Sequence, residues 1–220
     1  VNLGTDLPSR ILLATRNGKK LAELQRILGD QVTVLGLADV PEFPEEPETG
    51  VTFEANAIAK AVQATAATGE ISLADDSGLA VDALNGMPGV LSARWAGRHG
   101  DDLGNNSLLL AQLVDVPDER RGAGFVCALA LAVPGAEPMV RRGEWRGRIV
   151  REALGSNGFG YDPLFVPTES DFNGDHRTAA ELSPTEKDVL SHRGRAIALM
   201  LPELRLALGP AAGCGPRSSG

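Results

Sequence analysis

Two adjacent carboxylates, Asp75 and Asp76, followed by Ser77 and Gly78, are the residues of this chain best suited to chemistry. They follow Ile71-Ser72-Leu73-Ala74, a short apolar run that predicts a buried strand with the acids at its carboxyl end. In an open α/β sheet that end faces the crevice where ligands bind. Gly78 reads as a turn that larger residues resist. Consecutive strand residues point to opposite faces, which gives Asp75 and Asp76 different tasks unless the chain turns between them. Carboxylate oxygens suit Mg²⁺, which takes one or two of them and fills its shell with water and substrate phosphates. In isolation an Asp-Asp-Ser-Gly run is more commonly a turn capping a strand, so the other polar clusters of the chain decide its meaning.

The first of these is Thr15-Arg16-Asn17-Gly18-Lys19-Lys20, between an apolar run at Ile11–Ala14 and a helical stripe of Leu21, Leu24, Ile27 and Leu28. Strand, glycine-containing turn and helix start form a natural phosphate cradle, where free backbone N–H groups and the helix dipole converge. Asn17 can donate from its amide and Lys20 supplies a point charge; the spacing is not that of a Walker P-loop. Taken alone, the stretch also reads as a surface turn with solvated lysines. A second cluster is the acidic, proline-rich loop 41–50, with Glu48 just ahead of a helix predicted from Thr52, its N-cap, to about Thr68. Lys60 falls two turns into that helix and can reach back toward the phosphate end. The third cluster, Gly155 to Pro163, has glycines at 155, 158 and 160 that let backbone approach a ligand, and Phe159 can offer its face to a planar ring. It is no dinucleotide fingerprint, because no strand leads through it into a helix. Finally, Ser183-Pro184 with Glu186 predicts a capping box that starts a helix carrying Lys187, followed by Ser191-His192-Arg193-Gly194.

The elements that must hold these clusters are legible in outline. Strands are predicted at Val32–Leu35 and Gly124–Val133, the latter central, and a hairpin of Met139–Glu144 with Arg148–Arg151 around Trp145-Arg146-Gly147. Helices are predicted at Asn106–Leu113 and Arg195–Leu208, the last kinked or interrupted at Pro202. Asn85–Gly89 is a turn, Ser92–Gly97 a pocket rim or interface, and 168–177 a loop in which His176 has no role. Residues 1–10 should fray and 209–220 should be a disordered tail, leaving one domain over 1–208. With 43% apolar and 23% charged residues among 220, the composition is that of a soluble globular protein. A net charge of −8 argues against non-specific nucleic-acid binding. Cys127 reads as core and Cys214 as tail, with no zinc-type spacing. No leader and no apolar run of about 18 residues is present, so the expectation is a cytoplasmic protein away from membranes.

Six blocks in order, Ala14–Lys20, Glu48–Ala61, Ala74–Gly97, Gly158–Phe165, Thr178–Lys187 and Ser191–Gly194, make the chain resemble the inosine/xanthosine triphosphate pyrophosphatase family from about Ile11 to Leu208. The resemblance implies a three-layer α/β/α fold with an elongated mixed sheet, two lobes flanking a cleft, and a homodimer. It implies Mg²⁺-dependent hydrolysis of ITP, dITP or XTP to monophosphate and pyrophosphate. Carried over by motif, Thr15, Arg16, Asn17, Gly18, Lys19 and Lys20 would hold the triphosphate, with Lys60 a further contact. Asp76 would be proton acceptor and metal ligand, and Ser77 a substrate contact. Phe159, Gly160, Tyr161 and Asp162 would contain the nucleoside, while Lys187, His192 and Arg193 would meet the purine. The family often has two acids before its Thr-Gly, where this chain has Pro47-Glu48; Glu48 is the chosen second metal carboxylate, with Glu45, Glu46 and Asp75 as rivals. The septum-inhibitor-like pyrophosphatases are the near alternative, against which the Ser191–Gly194 block and the Phe159–Asp162 loop speak. A nucleotide sensor without catalysis is the alternative from another class.

Overall fold

A computed structural model describes residues 10–28, 32–44 and 46–209. Six strands form one mixed sheet: β1 (Arg10–Leu13), β2 (Thr33–Leu35), β3 (Ser72–Val81), β4 (Gly122–Ala132), β5 (Met139–Ile149) and β6 (Phe165–Pro167). Their spatial order is β2-β1-β3-β4-β5-β6. The β2-β1-β3 side is parallel, and β3 through β6 pair antiparallel. Parallel neighbours need crossovers, supplied here by α1 (Gly18–Leu28) and α2 (Phe53–Thr68). The remaining helices are α3 (Asp102–Gln112), α4 (Thr168–Asn173), α5 (Pro184–Leu190) and α6 (His192–Leu208).

The pleat of β3 divides the core. Leu73 faces Leu24 of α1 and Ile197, Met200 and Leu204 of α6, together with Leu129 and Leu131 of β4. Ala74 faces α2, whose Ala57, Ala61 and Ala64 lie against Ala128 and Ala130, small residues that bring helix and sheet close. Helices on both faces make the three layers. Beyond them the long strands continue into a second lobe, where Leu79, Val81, Phe125 and Trp145 pack with Leu109 and Leu113 of α3. The buried Arg121 guanidinium ties this lobe together by donating to the carbonyls of Leu113, Ile149 and Val150.

Several elements differ from the sequence expectation. β3 does not end at the acids: it pairs with β4 from Ser72↔Ala132 to Val81↔Ala123, so Asp75 and Asp76 are mid-strand. Gly78 is therefore not a turn. A Cβ there would stand 2.4 Å from the Gly89 carbonyl and the Ser92 hydroxyl, so glycine is needed for close approach. β5 is one strand rather than a hairpin, because β4 supplies an unbroken ladder alongside it. α3 begins at Asp102, a turn earlier than expected, because Asp101 accepts from the Gly104 N–H as N-cap. Residues 168–173 form α4 rather than loop, ended by the left-handed Gly174. α6 begins at His192, capped by Ser191, and runs on through Pro202. Arg10 opens β1 instead of fraying. The expectations for 1–9, for 210–220 and for Glu45 lie outside the described residues, as does Cys214. Among the described residues no helix is long and apolar enough to cross a membrane.

Candidate active site

A cavity of about 350 Å³ opens between the lobes. Its floor is β3, and the pleat places the two acids in different surroundings. Asp75 points toward α1 and α6, where its Oδ2 meets Lys20 Nζ at 2.9 Å and Arg193 Nη2 at 3.3 Å and accepts from the Ser77 hydroxyl at 2.6 Å. The same Arg193, 1% exposed, also pairs with the buried Glu23 of α1. Burial alone would raise the Asp75 carboxyl; Lys20, then Arg193 and Lys60, overcome it and hold the group far below the ordinary carboxylate range. Burial likewise opposes the Arg193 charge, but Asp75 and Glu23 prevail and its pKa goes up.

Asp76 points the other way, toward α2. Its Oδ2 accepts from Asn56 Nδ2 at 3.0 Å, and its Oδ1 lies 3.6 Å from Lys60 Nζ. Burial lifts this carboxyl above its ordinary value, opposed by Lys60 and the Asn56 hydrogen bond and assisted by the nearby Glu48 charge. Lys60 donates to Glu48 Oε1 at 3.0 Å and to the Asp75 carbonyl at 2.6 Å. Those acids hold its ammonium charged against burial. Glu48 is lowered because Lys60 outweighs its own partial burial, with Arg94 3.9 Å away.

Where α1 begins at the cavity wall, Asn17 Oδ1 accepts from the N–H groups of Lys19 and Lys20, and Thr15 Oγ1 from that of Asn17. Asn17 thus organises the first turn of α1. The Phe159 ring is approached by Lys187 at 5.2 Å, by Lys19 of the first turn of α1 at 5.6 Å and by Arg193 at 5.9 Å. Lys187 pairs with the buried Asp162, which also accepts from the Phe159 N–H. Burial pushes the Asp162 carboxyl up, with Lys187 opposing. The loop is gripped by α3: Gly160 N–H donates to Asp102 and its carbonyl accepts from Asn106. The buried Tyr161 hydroxyl donates to the Ser92 carbonyl. His192 stacks on Phe125, 4.9 Å between centroids, and its buried Nδ1 has no hydrogen-bond partner among the described residues. Burial first, then Arg193 and Lys187, keep that imidazole neutral well below its ordinary pKa.

Of the residues expected from sequence, all but Gly18 and Lys19 line this cavity, including Arg16, Ser77, Gly160 and Tyr161. Gly18 starts α1 and Lys19 stands beside Phe159. Among the rival acids, Asp75 is turned to the other face of β3 and Glu46 lines the cavity. Sequence reasoning missed Glu23, Asn56 and Asp102. For Glu23 and Asn56 a signal existed: each is a polar residue set in a buried helical stripe beside Leu24 or Phe53 and Ala57. Among the described residues no three His, Cys, Asp or Glu side chains cluster as a metal site. Two do converge, since Glu48 and Asp76 share the Lys60 ammonium from either side. Two hard carboxylates, one of them raised by burial and by the other's charge, fit a hydrated divalent cation that completes its shell with water and phosphate.

Fold and site together define a three-layer α/β protein with an interlobe cleft lined by Lys20, Lys60, Lys187 and Arg193 and floored by Asp76. Residues 11–203 match the model of the Ham1 family, and the chain belongs to that family. It is 63% identical over 200 residues to the dITP/XTP pyrophosphatase of Nocardia farcinica, covering 89% of this chain and 95% of that protein. A crystal structure of the nucleoside-triphosphatase / dITP/XTP pyrophosphatase of Mycobacterium abscessus superposes with a TM-score of 0.72 at 61% identity, covering 88% of this chain and 99% of that one. The Ham1 protein of Staphylococcus aureus gives a TM-score of 0.78 at 40% identity, with 89% and 98% covered.

Proposed function

We propose that this chain is a pyrophosphohydrolase of non-standard purine nucleoside triphosphates of the ITP, dITP and XTP kind, releasing monophosphate and pyrophosphate. The observation that carries the reading is the joining, in one cleft, of Asp76, Lys60 and Lys20 with the Phe159, Lys187 and His192 end. In this reading the α1 N-terminus, Lys20 and Lys60 take the triphosphate and offset the charge that builds on the departing pyrophosphate, the dominant form of catalysis in phosphoryl chemistry. Asp76 orients the attacking water and accepts its proton, a role its raised pKa suits. Glu48 and Asp76 would hold Mg²⁺, which when bound would neutralise phosphate charge and make nearby water more acidic.

Beside this grip, Phe159 offers its face to the base, while Lys187, His192 and Arg193 address the oxygen at C6. The buried, unpartnered His192 nitrogen is a group that a ligand would satisfy. An adenine amino group would leave such groups unpaired, and a site of this kind discriminates by as much as ~10⁴. Magnesium dependence, a homodimer and a cytoplasmic role in clearing the nucleotide pool are further parts of this reading, supported by the family likeness. The experiment that tests it offers dITP, ITP, XTP, ATP and GTP with Mg²⁺ and separates pyrophosphate from orthophosphate. Pyrophosphate from the first three is expected; orthophosphate, or equal use of ATP, overturns the reading.

A further inference from the structure

Asn56 is out of place by every local rule. Asparagine is a poor helix former, and this one lies in the first turns of α2, 3% exposed, between Phe53 and Ala57 on the face against the sheet. A buried amide costs free energy unless it is hydrogen-bonded. Both ends of this one are used. Its Oδ1 accepts from the Gly50 N–H at 2.8 Å, and its Nδ2 donates to Asp76 Oδ2 at 3.0 Å. Gly50 is two residues from Glu48, and only glycine permits that approach, because a Cβ there would fall 2.4 Å from Asn56 Oδ1.

We propose that Asn56 is the positioning residue that sets Asp76 and Glu48 in register, one amide holding the strand acid and the loop acid at once. The inference rests on the function proposed above for those two carboxylates. By engaging Asp76 Oδ2, the amide leaves Oδ1 directed at Lys60 and the cleft. By fixing Gly50, it brings Glu48 to the same ammonium. Two groups more than twenty residues apart in sequence are thereby aligned without Asn56 touching substrate.

Two variants separate positioning from packing. Asn56→Asp has the same shape and keeps an acceptor for Gly50, but replaces the donor to Asp76 with a competing acid. Asn56→Ala removes both bonds. With dITP and Mg²⁺, Asn56→Asp is expected to lose on the order of 100-fold in kcat with KM within about threefold, in the folded fraction of an enzyme whose melting temperature is lowered by the second buried acid. The Mn²⁺ affinity of Asn56→Ala, read by electron paramagnetic resonance without nucleotide, is expected to fall by about 10–100-fold. An Asn56→Asp enzyme with wild-type kcat, or variants that lose melting temperature while the folded fraction keeps its kcat and Mn²⁺ affinity, would overturn the proposal. If the wild-type chain turned over no triphosphate, the function proposed above would fail, while the Mn²⁺ comparison would still decide the role of Asn56.

Discussion

Asp75 and Asp76 are one peptide apart and have the same side chain, yet one is built into the frame and the other faces the cleft. On the α1 and α6 side, Asp75 and Glu23 meet Lys20 and Arg193, two acids against two cations, with the pair charges balanced. On the α2 side, Asp76 has an amide and a more distant ammonium, and a second acid near enough to repel it. Burial acts on both carboxyls in the same direction, and the number of cations in reach decides the outcome. Three cations hold the proton off Asp75, although its Oδ1 has no hydrogen-bond partner among the described residues; Asp76, with fewer cations in reach, takes a proton more readily.

The largest effect expected from this contrast is on turnover. Asp76→Asn preserves shape, the Asn56 contact and the strand, and should reduce kcat by about 10²–10⁴ with little change in melting temperature. Steady-state kinetics with dITP alongside a thermal melt is the check. The mirror substitution, Asp75→Asn, should show first as lost stability. It leaves Lys20 and Arg193 short of a buried counter-charge, a loss of about 3–5 kcal/mol, visible as a melting temperature lower by on the order of 10 °C. If Asp76→Asn unfolds the protein while Asp75→Asn melts like wild type, the assignment of frame and chemistry to the two faces is reversed.

How much of this contrast could be read from sequence follows from its physics. Period-two alternation separates adjacent strand residues, so different tasks for Asp75 and Asp76 were legible. Their place in mid-strand was not, because the partner that extends β3 is β4, some fifty residues away. Local turn chemistry at Asp-Asp-Ser-Gly pointed to an ending that long-range pairing overrides. Caps written in a few residues, Thr52 for α2 and the Ser183–Glu186 box for α5, are present as expected. The Arg193–Glu23 pair spans 170 positions, and no local pattern links the two. Arg193 is expected from the family resemblance as a base contact; what the fold shows is a hub of the buried charge cluster.

A smaller effect sharpens the contrast at His192. His192 belongs to the Asp75 side of the sheet but leaves one nitrogen unpartnered. Replacing it with Phe keeps a ring over Phe125 and removes the polar edge. In the proposed function the ratio of kcat/KM for dITP over dATP should fall by about tenfold or more, the weight of one buried hydrogen bond. The kcat for dITP should fall less than in Asp76→Asn. An unaltered ratio would move base recognition to Lys187 and its neighbours.

The smallest effect is on stability as a function of pH, where His192 and Asp75 separate cleanly. Both have folded pKa values below their unfolded ones, so for each the unfolded chain binds more protons and stability is lost as pH falls. The windows differ. The His192 contribution is complete above about pH 6.5 and declines below it, by at most about 1.4 kcal/mol per pH unit. The Asp75 contribution is complete above about pH 4 and declines only in stronger acid. Between those limits the imidazole, kept neutral by burial and by Arg193 and Lys187, carries the difference between wild type and His192→Phe. Urea unfolding at pH 7.5, 6.0 and 5.0 should therefore show wild type losing stability faster than His192→Phe as pH falls. Parallel curves would mean that the imidazole takes up its proton in the folded state as readily as in the unfolded chain. The resistance to protonation that Asp75 has on the α1 and α6 side of the sheet would then not extend to His192.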